Sequence, residues 1–181
     1  MKSKNILIVG VLTIVILSVP LIAMQFTDEV KWSVTDFLLM GTLIFGAGIT
    51  FQWFSSRGSS LLYRIAVGIS VLAVFLLTWA NLAVGVIGSE QNPANLLYFL
   101  MILIGIIGAL IVRFKAKGMA LVACIMAGVQ ILIPLIALAV WAGNFDPGIE
   151  QVLAINSFFA LMFVASAVLF KRASMINSQT T

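Results

Sequence analysis

The sequence predicts an all-α, polytopic integral membrane protein: a six-transmembrane-helix bundle with the N-terminus and C-terminus both cytoplasmic. Three observations predict it. Hydrophobic residues fill 62% of the 181 positions and charged residues only 9%. A soluble domain carries about 45–50% apolar and about 25% charged residues. The apolar residues also fall into six stretches, each close to the roughly 20 residues that cross a bilayer. Finally, the Lys and Arg residues gather on one side of that six-span arrangement, as the positive-inside rule requires.

The first helix is expected over 6–26. Lys2 and Lys4 precede it and give the charged region of a signal peptide. A signal core runs only about 7–15 residues, however, and this run is longer. Leu21, Ile22 and Ala23 also make a poor small-x-small cleavage site. A retained helix is the better reading, with Pro20 kinking its outer end. The second helix is expected over 33–54. Ser33, Val34, Thr35 and Asp36 fit a capping box there, and Trp32 and Phe37 a hydrophobic staple.

The third helix is expected over 65–88 and the fourth over 93–112. Asn92 supplies a cap for the fourth and Pro93 its first residue. The fifth is expected over 119–143, with Pro134 inside it. The sixth is expected over 147–170, where Asp146 and Pro147 repeat the cap-and-proline arrangement. Short connections make sequential helices antiparallel neighbours. Residues 1–172 then form one transmembrane domain, and 173–181 a short polar cytoplasmic tail.

Orientation follows from charge. Lys2, Lys4, Arg57, Arg64, Arg113, Lys115, Lys117, Lys171 and Arg172 fall on one side, and Lys31 alone on the other. The populated side is the cytoplasm. Asp28, Glu29, Asp36, Glu90, Asp146 and Glu150 all fall outside. Trp32, Tyr98 and Trp141 fit an outer aromatic belt, and Trp53, Tyr63 and Phe114 an inner one.

Several function classes are excluded. The net charge of +4 does not mark a nucleic-acid binder, because the cations stand singly or in small groups at the ends of apolar runs rather than on one folded face. The chain has no histidine. That removes His-ligated haem, most zinc sites and every Ser-His or Cys-His catalytic arrangement. Cys124 is the single cysteine, so no intrachain disulfide can form; it reads as a small buried packing residue. No cofactor or metal is expected. Gly105 and Gly108 lie mid-span with no neighbouring Lys or Ser, which excludes a phosphate loop. With Gly46, Ala47, Gly48, Ala160, Ala165 and Ala167, they read as close-packing surfaces.

The most unusual segment is WANLAVGVIGSEQNPAN, residues 79–95. It resembles a signature segment of small, uncharacterised bacterial inner-membrane proteins. The resemblance covers about a tenth of the chain. It implies a bacterial inner membrane as the location, and no activity, ligand or cofactor. Read physically, Glu90 lies near the positive end of the fourth helix. Thr78, Asn81, Gly85 and Gly88 would share one helical face. That favours Asn81 as hydrogen-bonding glue between helices, with a ligand site as the alternative. Trp79 lies too deep for an aromatic belt and is expected to pack in the core or wall a pocket.

Asp36, Asn81, Glu90, Asn95, Gln130 and Asn156 are the candidate residues for a polar cavity open to the outside. Gln130 stands one turn before Pro134, which frees its carbonyl. Gln52, near the cytoplasmic end of its span, is expected to be solvated. No pair of facing carboxylates and no serine with a base exists within the spans, so an intramembrane enzyme is not expected. The expected function is a non-catalytic membrane component or accessory subunit. It would work in the lipid bilayer, with a membrane-protein partner or as a homo-oligomer, and without nucleic acid. The alternative is a small transporter or channel-like protein for a cation or small polar solute.

The charge distribution predicts the outcome of topology reporters. Fusions after Lys117 and after Arg172 should report cytoplasm, and fusions near Glu90 and Asp146 the outside. A C-terminal reporter active on the outer side would rule out six spans.

Overall fold

The computed structural model describes residues 3–58, 60–140 and 148–179. The helices are α1 (Ser3–Phe26), α2 (Val34–Ser55), α3 (Leu61–Ala83), α4 (Leu96–Ile111), α5 (Ala116–Val140) and α6 (Ile149–Gln179). A 3-10 turn, Pro93–Asn95, leads into α4. There is no strand among the described residues. All six helices, α4 taken with its leading turn, are long and apolar enough to cross a membrane. Lys2, Trp141, Asp146 and Pro147 lie outside the described residues.

The chain divides into two compact units, Met1–Trp53 and Phe54–Thr181. The first is the α1–α2 hairpin. Asn5 Nδ2 donates to Gln52 Oε1 at 3.2 Å. A Cβ on Gly48 would come within 2.6 Å of Val9 Cγ1, and one on Gly41 within 3.2 Å of Leu17 Cδ1. These pairs step in opposite directions at matched intervals, so the two helices run antiparallel. Gln52 is therefore half-buried and bonded across the hairpin rather than solvated. Apolar side chains such as Leu7, Ile14, Val19 and Leu38 stand exposed. A helix that is apolar all round suits a hydrocarbon surrounding.

The second unit holds α3 to α6. Its helices pack in the order α3, α4, α5, α6 and back to α3, most extensively between α5 and α6. Small residues permit the contacts. A Cβ on Gly105 would meet Met126 Sδ at 2.7 Å, and one on Gly108 would meet Val122 Cγ2 at 3.1 Å, so α4 lies close against α5. Ser166, buried on α6, donates to the Ala66 carbonyl at 2.9 Å. Its one proton is thus committed, and Ser70 Oγ, 2.7 Å away, donates to Ser166 Oγ. Ala160 and Ala167 are buried as expected, whereas Ala165 is exposed.

Several boundaries differ from expectation, each for a physical reason. α3 begins at Leu61, because Ser60 caps it by accepting from the Tyr63 N–H at 3.2 Å. It ends at Ala83 rather than 88, because Gly85 and Gly88 take positive φ values of 73° and 68°. α6 runs through the expected polar tail to Gln179, and Ala173 is buried in a cluster with Tyr63 and Phe170. Cys124 is exposed rather than buried, and Trp79 is 44% exposed rather than packed in the core. Tyr98, assigned from sequence to an aromatic belt, is fully buried.

The α4–α5 turn carries backbone strain. Arg113 and Phe114 have φ values of 52° and 58°, in the left-handed region that costs a residue with a Cβ about 1–2 kcal/mol. Closing hydrogen bonds hold it: Phe114 N–H to the Ala109 carbonyl at 3.1 Å, and Arg113 N–H to the Leu110 carbonyl at 3.0 Å. Tyr63 Oη then donates to the Phe114 carbonyl at 2.8 Å. The Phe114 ring meets the edge of Phe54, with ring centres 5.0 Å apart.

Two substitutions at this turn should differ in effect. Tyr63→Phe leaves the Phe114 carbonyl without its buried donor and should lower stability by about 1–3 kcal/mol. Arg113→Gly relieves a positive φ at an exposed position and should leave stability unchanged or raised. Thermal unfolding in mild detergent measures both. A Tyr63→Phe protein as stable as the parent would refute the assigned role of this bond.

Candidate functional site

The six residues singled out from sequence separate into three settings. Asp36 belongs to the first unit, at the start of α2. Its Oδ2 accepts from the Ser33 N–H at 2.7 Å and from Ser33 Oγ at 2.8 Å, and its own N–H donates to Ser33 Oγ at 3.3 Å. This is the capping box read from the sequence. Trp32 meets Phe37 edge-on at 5.2 Å and completes the staple. The carboxylate is exposed and accounted for by the cap.

Asn81 and Asn95 meet around the loop that follows α3. Asn95 Oδ1 accepts from the N–H groups of Ile87 at 2.9 Å and Val86 at 3.2 Å. Its Nδ2 donates to the carbonyls of Ser89 at 2.8 Å and Ile87 at 3.2 Å. One side chain thus stands in for a whole strand partner, satisfying backbone that the buried loop cannot expose to water. Asn81 Oδ1 shares the Val86 N–H at a longer 3.4 Å. Asn81 is buried, and its Nδ2 has no hydrogen-bond partner among the described residues.

The expected interhelical role of Asn81 is therefore corrected. Its bond goes to the loop of its own chain segment, since α3 ends before Gly85 and the presumed helical face does not continue. Thr78 Oγ1 likewise bonds its own helix, at the Val74 carbonyl. Gly85 is required here: besides its φ of 73°, a Cβ would lie 2.5 Å from the Ser89 carbonyl oxygen. Asn92 caps the turn before α4, accepting from the Ala94 N–H at 3.0 Å. Glu90 is exposed on this loop and is not drawn into the buried amides.

Gln130 and Asn156 form the third setting, deep in the second unit, and both are fully buried. Gln130 Nε2 on α5 donates to Asn156 Oδ1 on α6 at 2.9 Å. Tyr98 Oη on α4 donates to the same oxygen at 3.0 Å. Asn156 Nδ2 donates to the Val152 carbonyl at 2.7 Å. Three helices are joined at one amide oxygen. Sequence reasoning found two of the three partners and missed Tyr98. Its spacing of three from Asn95, which places both on one face of the helix start, is the signal that could have found it.

Chemically, the buried groups of the second and third settings are amides and a phenol. They donate and accept hydrogen bonds, and among the described residues the buried side chains of the second unit include no Lys, Arg, Asp or Glu. Comparison with protein-family models, curated proteins and solved structures found no match.

The two asparagines of the loop should differ sharply. Asn95→Ala removes the partners of Ile87 N–H and of the Ile87 and Ser89 carbonyls, and should lower stability by more than about 2 kcal/mol. Asn81→Ala removes one long, shared bond and an unpartnered donor, and should change stability by less than about 1 kcal/mol. Denaturation midpoints in the same detergent provide the comparison. Equal losses would remove the distinction drawn between them.

Proposed function

We propose that this chain is a non-catalytic component of a bacterial inner membrane, crossing it six times with both termini in the cytoplasm. The observation that carries the reading is the use of the buried and half-buried polar side chains. Asn95, Asn156, Tyr98, Ser166 and Ser70 bond the chain to itself, across helices or to loop backbone. Such groups hold helices in register, as interhelical hydrogen bonds do in membranes. The exposed apolar faces of α1 to α6 suit contact with lipid and with other membrane helices. The one-sided Lys and Arg pattern supports the orientation. The resemblance of segment 79–95 supports the bacterial inner membrane.

The transporter reading has less support. Intramembrane ionisable residues ordinarily mark ion pathways. Here Glu90 is exposed in a loop and Asp36 is engaged by Ser33, while the buried amides carry no charge. A cation would find no compensating carboxylate among them.

The test is purification from its native membrane in mild detergent, coupled to deletion of the chain. A stoichiometric membrane-protein partner whose level falls on deletion is the expected result. A chain that purifies alone, and carries a solute across the wall of a proteoliposome, would overturn the proposal.

A further inference from the structure

Gln130 presents an acceptor that the fold leaves without a donor. The orientation of its amide follows from a chain of contacts. The Val152 carbonyl can only accept, so the atom of Asn156 that lies 2.7 Å from it is Nδ2. Asn156 Oδ1 therefore faces Tyr98 Oη and Gln130. The Gln130 atom 2.9 Å away must then be the donor, Nε2. Turning either amide over would set oxygen against oxygen. Gln130 Oε1 consequently points away from Asn156. It is buried and has no hydrogen-bond partner among the described residues.

A second acceptor sits on the same residue. Pro134 lies inside α5 and has no N–H to offer the Gln130 carbonyl one turn earlier. Gln130 thus brings a side-chain oxygen and a main-chain oxygen that lacks its α-helical donor into an apolar interior. A buried carbonyl without a donor is unfavourable, and the imbalance is relieved by any molecule that donates. Among the described residues no charged side chain of this unit is buried, so a cation would go uncompensated by them. The chemistry selects a neutral donor. Asn81 Nδ2 is unpartnered too, but it lies near the end of α3, whereas Gln130 is near the middle of α5. The inference concerns Gln130 alone.

We propose that Gln130 Oε1 is the acceptor of a buried site for one uncharged hydrogen-bond donor, either a water molecule or an O–H or N–H of a small neutral solute. The Gln130–Asn156 bond fixes the acceptor's direction. It makes the site a property of the folded α5–α6 pair rather than of α5 alone.

The test is water-edited solid-state NMR on the full chain in hydrated bilayers. Gln130 is followed by Cδ of a carbon-13 glutamine next to a nitrogen-15 isoleucine, since Gln130–Ile131 is the one Gln-Ile pair in the sequence. No variant is needed for the assignment. If the donor is water, Cδ should gain signal from water protons severalfold faster than the leucine and methionine side chains of a companion sample carbon-13-labelled at those residues, and the gain should vanish in deuterated water. If it is a solute, water transfer should be absent. Denaturation should then release one uncharged compound per chain, retained by Tyr98→Phe and lost from Gln130→Met. Tyr98→Phe removes a neighbouring hydroxyl but leaves Oε1 in place. Absence of both water transfer and a released solute would overturn the proposal.

Discussion

An apolar interior offers a polar group nothing to bond except other parts of the chain, and the second unit of this protein is arranged around that constraint. Its centre is the oxygen of Asn156, which accepts hydrogen bonds from Tyr98 on α4 and Gln130 on α5 while Asn156 itself stands on α6. Apolar packing among Leu77, Met101, Ile133 and Phe163 surrounds it. Dispersion contacts between such side chains tolerate sliding. An amide oxygen with two donors does not, because each donor must lie within about 3 Å and in the right direction. The lock therefore sets the relative depth of three helices.

The same constraint explains the loop after α3. Gly85 turns the chain out of the helix, and the backbone that follows is buried at Val86 and Ile87. Those N–H groups have no water and no helix to satisfy them. Asn95 reaches them from the turn that opens α4, with Pro93 and the Asn92 cap placing it. Three turns of the chain that look polar and irregular in sequence are thus one device: a glycine exit, a buried loop and an asparagine that answers its backbone. Tyr98 begins one turn further along the same helix, so the loop and the interhelical lock are set by a single segment, 92–98.

At the opposite end of the unit the solution differs. Arg113 and Phe114 are held in a left-handed conformation without glycine. The strain is offset by the bond from Tyr63 to the Phe114 carbonyl and by ring contacts with Phe54. Closer to the middle, Ser166 and Ser70 use hydroxyls where α3 and α6 come near enough for small residues only. Each end therefore has its own fastening, and the small residues between them set how closely the helices approach.

Much of the architecture was legible in the sequence alone. Six apolar runs of spanning length dictate six helices, because an isolated backbone in hydrocarbon must bond within its own segment. The caps at Ser33 and Asn92 were legible because capping depends on residues within one turn. The close approach at Gly105 and Gly108 was legible from size. The end of α3 was not, since a glycine near a helix end reads equally as a packing surface or as an exit, and only the buried loop beyond it decides. Nor was the continuation of α6, where Ala173 is held by contact with α3 rather than by local pattern. The polar residues divide the same way. Sequence placed Asn81, Gln130 and Asn156 inside apolar spans, where each must find a partner, and Asn95 at the turn that opens the fourth helix. It could not assign the partners, because hydrogen bonds between helices depend on rotation and depth. Those are decided only when the faces pack, and packing joined Gln130 to Asn156 through one oxygen and set Asn95 against a loop instead.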